Sequence, residues 1–245
     1  MRTTLRIAVA SLAALVAVHS VGADDQKGAR AVIDKAIKAQ GGADKLAKYK
    51  GSTWSEKGTY YGMGDGLPYT GTYAVLWPDK MRMDIENAFV MVLNGDKGWV
   101  QMNGETKEMT KEQLAAEKEE RYAGWVTTLV PLKDKGFTLT PVGDAKVEGD
   151  AATGVKVSHK GHGDVTLFFS KKSGLLVKSE HRAKDMQNGG KEVNQEAFYS
   201  DYKNVSGVQV PMKVVLKRDG KPFVDEESSD VKLATALDDK LFGKP

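Results

Sequence analysis

Residues 76–99 read LWPDKMRMDIENAFVMVLNGDKGW, two strand-like runs rich in Met, Val, Phe and Leu with a single arginine, Arg82, inside the first. Successive side chains of a strand point to opposite faces. Met81, Met83 and Ile85 therefore share one face, and Arg82, Asp84 and Glu86 share the other. Asn94-Gly95 is a tight-hairpin dipeptide, and the run GWVQM follows it. The segment reads as an antiparallel meander with one greasy face. The same signature continues along the chain. Turn dipeptides recur at Asn103-Gly104, Ser173-Gly174, Asn188-Gly189, Ser206-Gly207 and Asp219-Gly220, with alternating runs such as TYAVLW, GVKVSH, VTLFF and VPMKVVLKR between them. Closely spaced strands with few intervening helices predict about ten strands in one antiparallel sheet, which would have to curl around something.

Two segments follow helical periodicity instead. Ala29, Val32, Ile33, Ala36, Ile37 and Gln40 recur at i, i+3, i+4 spacing, and Gly41-Gly42 ends that helix. A second helix is predicted from about Lys111 to Leu129, with Thr110 as N-cap and Pro131 as stop. Its first half, KEQLAAEKEER, is strongly charged, and its second half sets Tyr122, Trp125, Val126 and Leu129 on one face. The charged end is expected to face water.

The N-terminus, MRTTLRIAVASLAALVAVHSVGA, has the parts of a secretory signal peptide: Arg2 and Arg6, an apolar run from Ile7 to Val18, and small residues at the cleavage position. The run is shorter than the roughly 20 residues of a membrane span. Residues 1–23 are expected to be removed after Ala23, leaving one domain over 24–245, or 245 − 23 = 222 residues, in the periplasm. The sequence has no cysteine, which excludes disulfides, thiol nucleophiles and lipid attachment through cysteine. Loss of Arg2 and Arg6 takes the formal charge from +3 to +1, a balance that argues against nucleic-acid binding.

Catalytic signatures are mostly absent. GMGDG (62–66) lies between strands with no helix after it, so it lacks the context of a phosphate loop. His159, His162 and Asp164, with His181 nearby in sequence, form the one cluster with metal-ligand chemistry, against the simpler reading of a polar turn. The adjacent acids Glu119-Glu120 and Glu226-Glu227 read as solvated surface. Asn204-Val205-Ser206 matches a glycosylation sequon that a Ser-Gly turn explains equally well. No cofactor is expected. Five of the eight methionines left after Met1 fall between Met81 and Met109, and methionine suits a surface that adapts to varied apolar partners.

Together these residues resemble the LolA/LolB-like lipoprotein-carrier family and its lipoprotein-sorting relatives. The resemblance rests on a first helix ending in GG, on GTYAVLWPDKMRMDIE with its Lys-x-Arg after Pro78, on FVMVLNGDKGWVQ with Trp99 after the hairpin, and on the tail EAFYSDYKNVSGVQVPMKVVLKRDGKPF and LDDKLFGKP. It implies an α+β fold: a curved, half-open antiparallel barrel of about ten or eleven strands whose concave face is covered by helices. It also implies a non-catalytic carrier of lipid or lipoprotein acyl chains, a monomer with membrane-associated protein partners. The ligand-binding residues would be Arg82, Tyr73, Met81, Met83, Phe89, Met91, Leu93 and Trp99 on the strands, with Tyr122, Trp125 and Leu129 plugging the cavity. In the family's pattern Arg82 meets the cavity; by strand alternation it faces outward and pairs with Asp84 or Glu86. A sensor or protein-interaction module is the alternative function, and a metal-dependent hydrolase at His159, His162 and Asp164 the third.

Overall fold

The computed structural model describes residues 23–245. The expected signal segment lies outside the described residues except for Ala23, whose backbone opens the first helix. That helix, α1 (Ala23–Gln40), ends at Gly41 and Gly42, both with positive φ, and a short α2 (Ala43–Lys48) follows. A Cβ on Gly41 would come within 2.5 Å of the Gly207 carbonyl oxygen, so the close approach of this turn to the sheet needs glycine.

Thirteen strands then build one antiparallel sheet, two or three more than the sequence suggested. The first six are β1 (Gly51–Tyr60), β2 (Leu67–Leu76), β3 (Lys80–Ile85), β4 (Phe89–Asn94), β5 (Lys97–Met102) and β6 (Glu105–Glu108). The helix α3 (Lys111–Thr127) and a 3-10 turn (Val130–Lys133) interrupt the series. The rest are β7 (Thr138–Val147), β8 (Asp150–Ser158), β9 (Val165–Ser170), β10 (Leu176–Asp185), β11 (Lys191–Val205), β12 (Val208–Arg218) and β13 (Lys221–Ala234). Spatially the order is β6-β5-β4-β3-β2-β1-β13-β12-β11-β10-β9-β8-β7, so every neighbour is a sequence neighbour except β1 and β13. The first and last strands meet in the middle of the sheet. Its outermost strands, β6 and β7, are not paired with each other, so the barrel stays open.

Hairpin chemistry sets the register. Asn103-Gly104, Ser206-Gly207 and Asp219-Gly220 each hold two consecutive positive φ angles, which matches a right-twisted two-residue hairpin turn. The helices pack on one face. Ala29, Ile33, Ala36 and Ile37 of α1 and Tyr122, Ala123 and Val126 of α3 form the main core with Leu139, Val155, Val157, Leu167 and Phe169 of β7 to β9. A separate apolar cluster lies on the same face of the other flank, where Val75, Met81, Met91 and Leu93 are covered by Trp77, Met109 and Leu114. On the opposite face the chain end returns. A terminal 3-10 turn (Asp239–Phe242) sinks Phe242 completely between Ala74 and Val92, with Leu237 and Trp99 alongside.

Candidate functional site

Between the two apolar flanks, on the helix-covered face, runs a polar seam. It follows from register. Tyr199, Val214, Glu226, Gly58 and Tyr69 form one row across β11, β12, β13, β1 and β2; His181, Gln195 and Arg218 form another across β10 to β12. Glu56, on the central strand, is 3% exposed. Its carboxylate accepts hydrogen bonds from the Tyr69 hydroxyl (2.6 Å), the Tyr73 hydroxyl (2.9 Å) and the Trp54 indole nitrogen (3.0 Å). Trp54 and Tyr73 stack at 4.9 Å, which fixes both donors. Gly58 lets Tyr69 lie across the sheet, since a Cβ there would meet the Tyr69 ring at 2.6 Å.

The carboxyl of Glu226 lies within hydrogen-bond reach of Glu56. Burial, followed by the Glu56 charge, pushes its pKa well above the ordinary carboxylate range. Burial and the same Glu56 charge also raise the Tyr69 and Tyr73 hydroxyls, so both stay neutral donors. The seam therefore buries two carboxyls side by side, and Glu226 is the one driven toward its neutral form.

The helix α3 crosses this seam. Its N-terminus is a capping box, with Gln113 N donating to Thr110 Oγ1 and Thr110 N donating to Gln113 Oε1. Leu114 then packs on the methionine flank and Val126 on the main core. Glu117, Glu120 and Arg121 lie between, over the seam. This corrects the expectation that the charged half faces water. Gln195 Nε2 donates to Glu120 Oε2 at 2.9 Å, and His181 Nε2 lies 3.3 Å from both Glu120 oxygens. Burial alone would raise the Glu120 pKa; the His181 hydrogen bond and charge, with Arg218 and Arg121, outweigh it and hold the carboxyl below its ordinary value. Arg218 Nε in turn donates to Gln195 Oε1 at 2.8 Å, and its guanidinium stacks 3.6 Å from the centre of the Phe223 ring. Next along α3, Glu119 Oε1 lies 2.9 Å from His162 Nδ1 and accepts from Gly163 N through its other oxygen.

Arg121 differs from all of these. Its nearest aromatic neighbour is Trp77, 5.7 Å from ring centre to guanidinium carbon, and its buried Nε has no hydrogen-bond partner.

The histidine cluster behind the metal alternative takes another form. His159 stacks on Phe137 at 4.4 Å, His162 stacks on Tyr122 at 3.8 Å, Asp164 pairs with Lys156, and His181 goes to Glu120. Among the described residues no three His, Asp or Glu side chains converge as a metal site.

No family model matches the sequence, and no curated protein matches it. Solved structures do match in shape. A LolA superfamily protein from Nitrosomonas europaea superposes with TM-score 0.57 at 12% identity, over 88% of this chain and 97% of that one. The chain has the LolA fold. A DUF1329 family protein from Desulfovibrio piger superposes with TM-score 0.60, also at 12% identity over 88% and 97% of the two chains. An outer membrane lipoprotein-sorting protein domain from Vibrio parahaemolyticus gives 0.54 at 12% identity, over 86% and 97%.

Within this LolA fold the residues expected to bind ligand fall in three places. Tyr73, Met81, Met83, Phe89, Met91 and Leu93 share the helix-covered face of β2 to β4, beside the seam. Tyr122, Trp125 and Leu129 lie across the seam in the main core. Arg82 and Trp99 are on the outer face: the register aligns Ala74, Arg82, Val92 and Trp99 in one row beneath the chain end. Arg82 Nη2 meets Asp84 Oδ2 at 3.2 Å, the outward pairing that alternation allowed. The arginine turned toward the interior is Arg121. Sequence reasoning passed over it because it sits in a run of charges; the signal was its place one turn before Trp125 on the covering face.

Proposed function

We propose that this protein is a non-catalytic periplasmic binder of lipid or lipoprotein acyl chains, with α3 as a lid over the methionine flank. The observation that carries this reading is the composition of the contact under α3. A permanently closed helix gains most from apolar burial, whereas this one, between its apolar contacts at Leu114 and at Tyr122 to Val126, lays Glu117, Glu120 and Arg121 onto a charged seam. Such groups regain water when the helix lifts, which offsets much of the lost contact and keeps the open state within reach. Lifting α3 exposes Met81, Met83, Met91 and Leu93, a pliable surface on which buried methylenes are worth about 0.8 kcal/mol each. The likeness in fold to a lipoprotein-sorting domain supports the same class of ligand.

Tryptophan emission tests it. Trp54, Trp77 and Trp125 pack against the covered face, while Trp99 lies on the outer one. A long-chain phospholipid should shift the emission of the wild type and of Trp99→Phe alike, and should shift Trp77→Phe much less. No shift in any of them, together with protein that emerges lipid-free from its own periplasm in native mass spectrometry, would overturn the reading. The charge of the seam favours one alternative, a module that holds a polar segment of a partner protein. That module would show this lipid-free result.

A further inference from the structure

We propose that Arg121 is the residue that receives the anionic group of the ligand, a singly charged phosphodiester or carboxylate whose acyl chain lies on the neighbouring methionine flank. The inference rests on the acyl-binding reading above and adds a polar anchor to it.

Among the described residues, no ion pair or hydrogen bond engages the Arg121 guanidinium, and its Nε is sealed from solvent without a partner. The carboxylates around it are committed elsewhere. Glu56 holds three donors, burial and the neighbouring Glu56 drive Glu226 toward its neutral form, and Glu120 is taken by His181 and Gln195. Burial raises the carboxyl of Glu117, the remaining neighbour, which weakens it as a counter-ion. An arginine stays charged when partly buried, and a sealed N–H donor without a hydrogen-bond partner is costly enough to need an explanation. A bound anion supplies one, because the guanidinium fork matches a carboxylate or phosphate with two parallel hydrogen bonds.

Position and charge narrow the ligand further. Arg121 lies against Trp77, and Trp77 belongs to the cluster around Met81 and Met91. The guanidinium therefore stands where the apolar flank meets the seam, the arrangement that an amphiphile needs. Glu117 and Glu120 act on the Arg121 charge, so a dianion brought beside them is opposed more strongly than a monoanion. Arg218, the other seam arginine, is already occupied by Gln195, Asp185 and Phe223.

The test compares dioctanoyl phosphatidylglycerol, laurate and uncharged dioctanoylglycerol on the wild type, Arg121→Gln and Arg121→Lys. The wild type should bind at least one of the two anions about tenfold or more tighter than dioctanoylglycerol. Which of them it prefers separates a phosphodiester from a carboxylate source. Arg121→Gln should lose that preference, Arg121→Lys should keep part of it, and the Tm of Arg121→Gln should be unchanged or raised, since no hydrogen bond is lost. A wild type that binds charged and uncharged lipid equally, or an Arg121→Gln that keeps the preference, overturns the anchor and leaves the acyl-binding reading standing. A sharp fall in the Arg121→Gln Tm would assign the residue to holding α3 down and overturn the anchor as well. Failure of all three lipids to bind the wild type overturns both.

Discussion

His181 Nε2 lies 3.3 Å from both carboxylate oxygens of Glu120, fastening the middle of α3 to β10 across the helix-covered face. Gln195 adds a third contact to the same carboxylate. If α3 is a lid, this is its central catch. Glu120→Ala should cost about 1.5–3 kcal/mol at neutral pH, the range for hydrogen bonds to a charged group. Amide exchange should speed up along α3 before it does in β10 and β11. The pH dependence has a definite sign. The folded carboxyl is held below its ordinary pKa, so its stabilisation is present above the ordinary carboxylate range and is lost as pH falls through the lowered value. Uniform loss of protection across the sheet would mean that α3 does not move separately.

Glu226 should behave in the opposite sense. Its carboxyl is raised in the folded protein, so its stabilisation is complete at a pH below the ordinary carboxylate pKa and is lost as pH rises through the folded value. Glu226→Gln keeps a neutral donor toward Glu56 at every pH. The variant should melt with a flatter pH profile and have a higher Tm than the wild type at pH 8. Parallel melting profiles from pH 4 to 8 would show that Glu226 titrates as an ordinary glutamate.

Arg82→Leu should be nearly silent. The Arg82–Asp84 pair is partly exposed, with side-chain exposures of 29% and 40%, and such pairs contribute about 0–1 kcal/mol. Its Tm should shift little and its fluorescence response to lipid should match the wild type. A lost lipid response would mean that the outer face takes part in binding.

Phe242→Ala should be among the most damaging single changes. The ring is fully buried against Ala74 and Val92, and Phe to Ala in such a site costs about 3–5 kcal/mol. Because Trp99 lies beside it, the folded fraction of the variant should also show red-shifted emission. A small cost would mean that the chain end detaches easily from the outer face.

Local chemistry made much of the fold readable. Gly41-Gly42, Asn103-Gly104, Ser206-Gly207 and Asp219-Gly220 each need only their neighbours to define a turn, and each is a turn. The alternation in 81–93 placed five of the expected binding residues on one face and set Arg82 on the other. Strands were missed where alternation failed. The four-residue β6 is too short to show a period. The seam was illegible for a related reason. On one strand a glutamate suggests solvent, and Glu226 beside Glu227 looked like surface. Only the pairing of β1 with β2 supplies the tyrosines, and only its pairing with β13 the second carboxyl, that make burial of Glu56 possible.

That pairing also has a consequence in time. Glu56 and Glu226 are 226 − 56 = 170 residues apart, and β1 and β13 join only when nearly the whole chain has been brought together. Contacts of such long sequence separation form slowly, since loop closure must precede them. The two arms of the sheet are built from hairpins between sequence neighbours and can zip independently. The seam should therefore be the last part of the molecule to assemble. A half-folded chain would have its methionine flank in place but nothing for α3 to close upon.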